Sequence, residues 1–402
     1  LYRNVLEIYS SLNQLRGLKM GKSMQFSRRN FLAGTALATG AGLALPTLAG
    51  STAGMQAKAV EYGPAPGVAK LNANENPYGP SPLAIEAMTE AVKKGAYYVN
   101  SSAMTLREMI AERHGLSPEY IALSSGSSGV LTNLAMAAAS EGNILGPDLF
   151  WDTTSKMGTR NSPNGIKRLA KTVDLSIDLD AMYAAIEDDT AMVQICNPNN
   201  PTGSVVSATQ LKAFCLKASQ KSMVLVDEAY NELTDDPEAN SMVPLVKAGH
   251  NVVVARTFSK IYGLAGMRVG YMIAKPETLE IVGRYGMGSY GLNQAGIAAA
   301  IASYNDMTFL KYSKVKIIEA REMIAAAVKA NGLTALPTQT SFMFVDLGKL
   351  NAEKFRAAMA EQNVLIRGIY QDYTNWSRVS TGTLPDVQMY VDAMPKVLDQ
   401  LA

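Results

Sequence analysis

The chain has 402 residues, 48% of them hydrophobic, and its 37 Lys and Arg nearly balance its 35 Asp and Glu. That length allows a large core and about two domains, and the balance gives no basic excess of the kind that nucleic acid or a membrane surface would draw on. Two cysteines (Cys196, Cys215) and two histidines (His114, His250) match no zinc or redox spacing, so the cysteines are expected as buried small apolar residues, the histidines in loops, and no metal site at all.

The first 59 residues hold seven basic side chains and one acidic one, which leaves the rest of the chain mildly acidic. Within them Ser27-Arg28-Arg29-Asn30-Phe31-Leu32 leads into an apolar run from Phe31 to Ala49 and then into small residues through Ala59. A charged head, an apolar middle and a small-residue tail form the layout of an export signal, and the paired arginines resemble the twin-arginine address of bacteria. The expected location is therefore periplasmic. Cleavage is expected after Ala59 or Ala53, with an uncleaved membrane anchor as the alternative, and the stretch before Met20 or Met24 has no place in such a signal.

Further along, Ser125-Gly126-Ser127-Ser128-Gly129 precedes an apolar helix, Val130 to Ala139, whose backbone N–H groups and dipole suit a phosphate. Short apolar runs at 191–196, 223–226, 252–255 and 270–274 predict buried strands. Between the first two, Ser207-x-x-Gln210 opens a predicted helix over 207–221 with the form of a capping box. Strands alternating with helices imply an α/β fold with a mostly parallel sheet, in which ligands bind beyond the carboxyl ends of the strands. Chemistry-bearing residues fall at those ends: Asn197 to Gly203 after one strand, Asp227-Glu228-Ala229-Tyr230 after the next, Thr257-Phe258-Ser259-Lys260 after a third. Taken singly, Asp227 reads as an ordinary cap and Lys260 as a surface lysine. Their joint order is the signal.

From about residue 66 to 395 the chain resembles the class I/II aminotransferases of pyridoxal 5'-phosphate (PLP) fold type I, and within them the histidinol-phosphate aminotransferase branch. The resemblance is carried by Leu71-Asn-Ala-Asn-Glu-Asn76-Pro-Tyr-Gly-Pro80, by the three strand-end motifs, by Gly263-Leu-Ala-Gly-Met-Arg268-Val-Gly270 and by Arg378-Val-Ser-Thr-Gly-Thr383. It implies a large domain (98–305) with a seven-stranded, mostly parallel sheet flanked by helices, and a smaller α+β domain (306–402) to which part of an N-terminal arm (60–97) belongs. PLP is the implied cofactor, with an amino donor and a 2-oxo acid as substrates.

The same resemblance assigns roles. Lys260 would carry the cofactor covalently and shuttle the proton at the substrate Cα, for which burial must keep its amine partly neutral. Asp227 would pair with the pyridine nitrogen, and Tyr230 and Asn200 with the ring hydroxyl. Ser127, Ser128, Thr257, Ser259 and Arg268 would hold the phosphate, and Phe150, with Trp151 close behind, would stack on the ring. Tyr98 would reach the phosphate of a neighbouring subunit, and the segment 286–293 would reach toward that subunit's site, which implies a homodimer. Arg378 would grip the donor's α-carboxylate, Arg367 its distal group, and Asn76 would also bind substrate.

Two departures leave the donor open: Ser128-Gly129 stands where the branch usually has an acidic pair, and Val99 where it has proline. A decarboxylase or lyase of the same fold is the catalytic alternative, because PLP labilises any bond at Cα. A non-catalytic PLP-fold binding module is the other, though no residues remain for the effector domain such modules carry.

Overall fold

A computed structural model describes residues 62–170 and 172–402. The proposed signal, with Arg28 and Arg29, lies outside them. The strands in chain order are β1 (Ala69–Lys70), β2 (Ile121–Ser125), β3 (Asn143–Gly146), β4 (Ile166–Arg168), β5 (Thr190–Cys196), β6 (Met223–Asp227), β7 (Val252–Thr257), β8 (Val269–Ile273), β9 (Thr334–Ala335), β10 (Phe342–Asp346), β11 (Val364–Leu365) and β12 (Trp376–Ser380).

Seven of them form one sheet in the order β2-β8-β7-β6-β5-β3-β4. Strands β7, β6, β5, β3 and β4 run parallel, whereas β8 is antiparallel to both β7 and β2. The reversal follows from chain length, since the 258–268 connection that carries Lys260 is too short to return a strand in parallel. Both faces are covered, and the pleat sorts the apolar side chains between them. Val224, Val226, Val252 and Val254 enter the core on one side. Leu225, Val253 and Ala255 enter the core on the other, beneath the helix Ser127–Glu141.

A second core gathers β10, β12 and the helices Ala352–Glu361 and Leu384–Leu401. The chain near β1 joins it: β1 pairs parallel with β11, and Ala69 and Leu71 are fully buried there. The helix Met307–Ala330 serves both cores, with Phe309, Leu310 and Ile317 packed into the first and Ala320, Ile324 and Val328 into the second. The helix Pro82–Val92 lies on the helix Gln294–Tyr304 beside the large sheet.

Some local expectations are corrected. His114 closes the helix Ser101–His114 instead of sitting in a loop. The Ser207 side chain caps its helix by accepting from Gln210 N–H at 3.4 Å, but it also donates to the Gln210 side-chain oxygen at 2.7 Å, which takes the place of the second bond of a capping box. A complete box forms instead at Thr383 and Asp386. Both cysteines are buried and free. Among the described residues, no His, Cys, Asp and Glu cluster could hold a metal, and no helix is long and apolar enough to cross a membrane.

Candidate active site

The carboxyl ends of β5, β6 and β7 open into a cavity of about 700 Å³. Its far wall comes from the second core, through Arg378 on β12 and the 367–371 segment. Asp227 reaches this cavity because its neighbour is held the other way. The Glu228 carboxylate turns behind the sheet, where it accepts from Met242 N–H at 2.6 Å and from the Arg256 guanidinium at 2.7 and 3.0 Å. Asp227 is only 3% exposed, and among the described residues its carboxylate receives a single hydrogen bond, from Ala229 N–H at 3.2 Å. Burial pushes its pKa up to about 6, against the pull of that bond and of Lys260. At neutral pH the buried anion costs about 3 kcal/mol, relieved as pH falls through about 6, and a cationic ring nitrogen in the cavity would offset that cost.

Lys260 lies on the loop after β7, its amine donating to the Asn74 carbonyl at 2.9 Å and standing 5.4 Å from the Tyr230 ring centre. Burial, helped by the Arg378 charge and opposed by Asp227, lowers its pKa to about 8. Tyr230, buried between Asn74 and Phe342, has its phenol pushed well above the ordinary range by the same desolvation.

A cradle of donors fills one end. The helix Ser127–Glu141 begins there with Gly126 as its cap, which offers no side chain to the Ser127 and Ser128 N–H groups, while the Ser124 hydroxyl accepts from Val130 N–H at 3.2 Å. Arg268 reaches the Ser128 hydroxyl at 3.0 Å and the Ser259 hydroxyl at 3.3 Å, and Thr257 donates to Ser259 at 2.9 Å. Helix N–H groups, three hydroxyls and a guanidinium together are donors that could hold a phosphate. The closeness of this cradle depends on Gly270, where a Cβ would lie 2.1 Å from the Ser127 nitrogen. We expect Gly270→Ala to shift that helix start, to destabilise the protein by about 1–3 kcal/mol, and to weaken PLP binding; unchanged melting and an unchanged cofactor Kd would show that the cradle yields freely. With Asp227 at the opposite end and Lys260 between, these residues fit PLP.

Arg378 closes the site. It is 7% exposed, donates to the Asn200 side-chain oxygen at 2.7 Å and to the Asn72 carbonyl at 3.4 Å, and leaves its buried Nε without a partner. Among the described residues no carboxylate forms an ion pair with it, so its charge faces the cavity unopposed.

The family model for aminotransferase class I and II matches residues 66–394. The chain belongs to that family. This aminotransferase is 33% identical over 324 residues, 79% of its own length and 86% of the relative's, to a histidinol-phosphate aminotransferase of Brevibacillus brevis. It is 34% identical to an aromatic amino acid aminotransferase of Thermobifida fusca, covering 79% of this chain and 87% of the relative. The structure of a histidinol-phosphate aminotransferase from Sinorhizobium meliloti in complex with pyridoxal-5'-phosphate superposes with TM-score 0.77 at 29% identity, covering 83% of this chain and 92% of that one. Accordingly the protein is a PLP-dependent aminotransferase of fold type I. An L-threonine-O-3-phosphate decarboxylase from Porphyromonas gingivalis, TM-score 0.70 at 20% identity, shares the fold alone, and transamination is favoured over the decarboxylase alternative.

Of the residues read from the sequence, Lys260, Asp227, Tyr230, Asn200, Ser127, Ser128, Thr257, Ser259, Arg268, Arg378 and Arg367 all line the one cavity, as do both Phe150 and Trp151. Two do not. Asn76 is not among the cavity-lining residues: its amide nitrogen donates to the Ile261 carbonyl at 2.7 Å and the Ser313 hydroxyl at 3.0 Å while its oxygen accepts from Tyr78 N–H, so both of its donors fasten the arm near Lys260. Tyr98 is 73% exposed, edge-on to Tyr290 on the surface, outside its own chain's cavity. Asn72, Asn74 and Glu75, which the sequence reading did not single out, do line the cavity. They share a motif with Asn76, and only the path of the arm decides which asparagine faces inward.

Proposed function

We propose that this aminotransferase takes its amino group from an amino acid whose α-carboxylate is gripped by Arg378, and passes it to a 2-oxo acid. The observation that carries this reading is the buried, unopposed Arg378 guanidinium across the cavity from Lys260. A planar fork meets a carboxylate with two charge-assisted bonds, and desolvation makes that partner worth more here than at a surface.

Bound PLP supplies the electron sink at Cα. Asp227 would keep a proton on the ring nitrogen, Tyr230 and Asn200 would hydrogen-bond the ring hydroxyl, and Lys260, depressed to about 8, would take the proton from the donor Cα and deliver it to the cofactor's C4' carbon. Arg367, exposed at the cavity mouth, meets a distal anion on donors that have one. The exposed Tyr98 and Tyr290 pair supports a homodimer in which Tyr98 serves the neighbouring site.

The test is a panel of donors added to the PLP-loaded protein, read as loss of the yellow absorption and appearance of the oxo acid. Aromatic amino acids and histidinol phosphate come first, since these classes appear in the relatives' names. Conversion by amino acids is expected. Conversion by histidinol phosphate alone would mean that Arg378 holds a phosphate instead, and the carboxylate reading would fall.

The Arg28-Arg29 pair and the apolar run behind it support export of the folded enzyme to the periplasm. Changing both arginines to lysine is expected to retain active enzyme in the cytoplasm; an unchanged fractionation pattern removes the export reading.

A further inference from the structure

Asn74 connects three parts of the site at once. Its carbonyl accepts from Lys260, its side-chain nitrogen lies 2.8 Å from the Tyr230 phenol oxygen, and its side-chain oxygen accepts from Ser380, two residues beyond Arg378, at 2.6 Å. Asn74 is 7% exposed and Ser380 fully buried, so the bonds of Asn74 to Tyr230 and Ser380 are both buried. The charged groups around Tyr230 are Arg378 from β12, Asp227 from β6 and Lys260 from the loop after β7, with the Cys196 thiol beside them. Among the described residues, Asn74 alone hydrogen-bonds the phenol oxygen.

Direction follows from the chemistry of the groups. An amide nitrogen only donates, so the phenol oxygen must accept from Asn74, and its own proton is left to point elsewhere. In this orientation Ser380 donates to the amide oxygen. If the amide were reversed, Tyr230 would donate to Asn74 and its proton would be lost to the cavity.

We propose that Asn74 is a positioning residue that fixes the direction of the Tyr230 hydrogen bond, so that the phenol proton is presented to the ring hydroxyl of the cofactor. This rests on the assignment of Tyr230 to that hydroxyl. A proton donated there stabilises the deprotonated form of the bound cofactor, so losing it raises the pH at which the visible absorption of the lysine-linked cofactor titrates. The same bond explains why an arm residue far from the strand ends in sequence belongs to the site.

The measurement is that absorption titration on PLP-loaded protein, for Asn74→Asp, Tyr230→Phe and the double variant. Asp accepts at both oxygens and turns the phenol proton toward itself, so Asn74→Asp is expected to raise the titration midpoint by about one unit, a tenfold change in proton affinity, and Tyr230→Phe to raise it similarly. In the Tyr230→Phe background the Asn74→Asp change should add less than half as much. A rise of equal size in both backgrounds would mean a direct effect of the new charge, and no rise at all beside a clear Tyr230→Phe shift would mean that Asn74 sets nothing; either overturns the proposal. If Tyr230→Phe itself leaves the midpoint in place, the assignment of Tyr230 is wrong and the proposal falls with it. Should Asn74→Asp fail to fold, Asn74→Ala decides by sign. Removing the donor frees the phenol proton to point away from the cofactor, so a rise smaller than that of Tyr230→Phe is expected; an unchanged midpoint would mean that Asn74 sets nothing and a fall would reveal the reversed amide, and either overturns the proposal.

Discussion

Lys260→Ala is expected to lower turnover by about 10²- to 10⁴-fold, the usual worth of a positioned acid/base group, or roughly 3–5 kcal/mol. The residue is asked to do two things, hold the cofactor and move the Cα proton, and no other amine lines the cavity within reach of its position among the described residues except Lys156 at the rim, whose ammonium is paired with Asp152 at 2.8 Å. Borohydride treatment of wild-type protein with PLP should tag Lys260 and should tag nothing in the variant. A pH dependence follows from the same burial. The amine attacks the cofactor aldehyde only when neutral, and its pKa is depressed to about 8, so the rate at which PLP-free protein takes up PLP should climb about tenfold per unit below pH 8 and level off above it. An ordinary lysine would keep climbing to about pH 10. A tag on another lysine, or a rate still rising steeply at pH 10, counts against the assignment.

Arg378→Ala is expected to lower kcat/KM for every amino acid donor by roughly 2 to 4 kcal/mol, the scale of removing one member of a buried charged contact. The structure strengthens the case, because the competing explanation of Arg378 as a structural ion-pair partner finds no carboxylate at it among the described residues. Its bonds to the Asn200 side chain and the Asn72 carbonyl orient the guanidinium without neutralising it. Since Arg378 also helps keep the Lys260 pKa low, the variant should shift the uptake profile of PLP toward higher pH as well. Arg367→Ala, at an exposed position with no ion pair among the described residues, should penalise only donors with a distal anion. If Arg378→Ala stays within a few-fold of wild type with cofactor bound, the carboxylate is held elsewhere.

Much of this was legible in the amino-acid order because it is local. The strands at 191–196, 223–226 and 252–255 are short apolar runs whose ends carry Asn200, Asp227 and Lys260, and a parallel sheet must deliver its strand ends to one rim. The helix start of the phosphate cradle was equally local, a glycine turn opening a helix. What the sequence could not decide is whatever depends on where distant segments meet. Asn74 and Asn76 sit two apart in one motif and look equivalent, yet the arm's path to β11 turns Asn74 toward Tyr230 and Ser380 and turns Asn76 toward Ile261 and Ser313. The antiparallel entry of β8 came from a connection too short to cross over, and the half-formed cap at Ser207 from a glutamine side chain that took the hydroxyl proton instead of the backbone one. Periodicity and motif order report what a segment can become. Which face of it meets the site is set by packing across more than a hundred residues of chain, and that is a property of the tertiary structure alone.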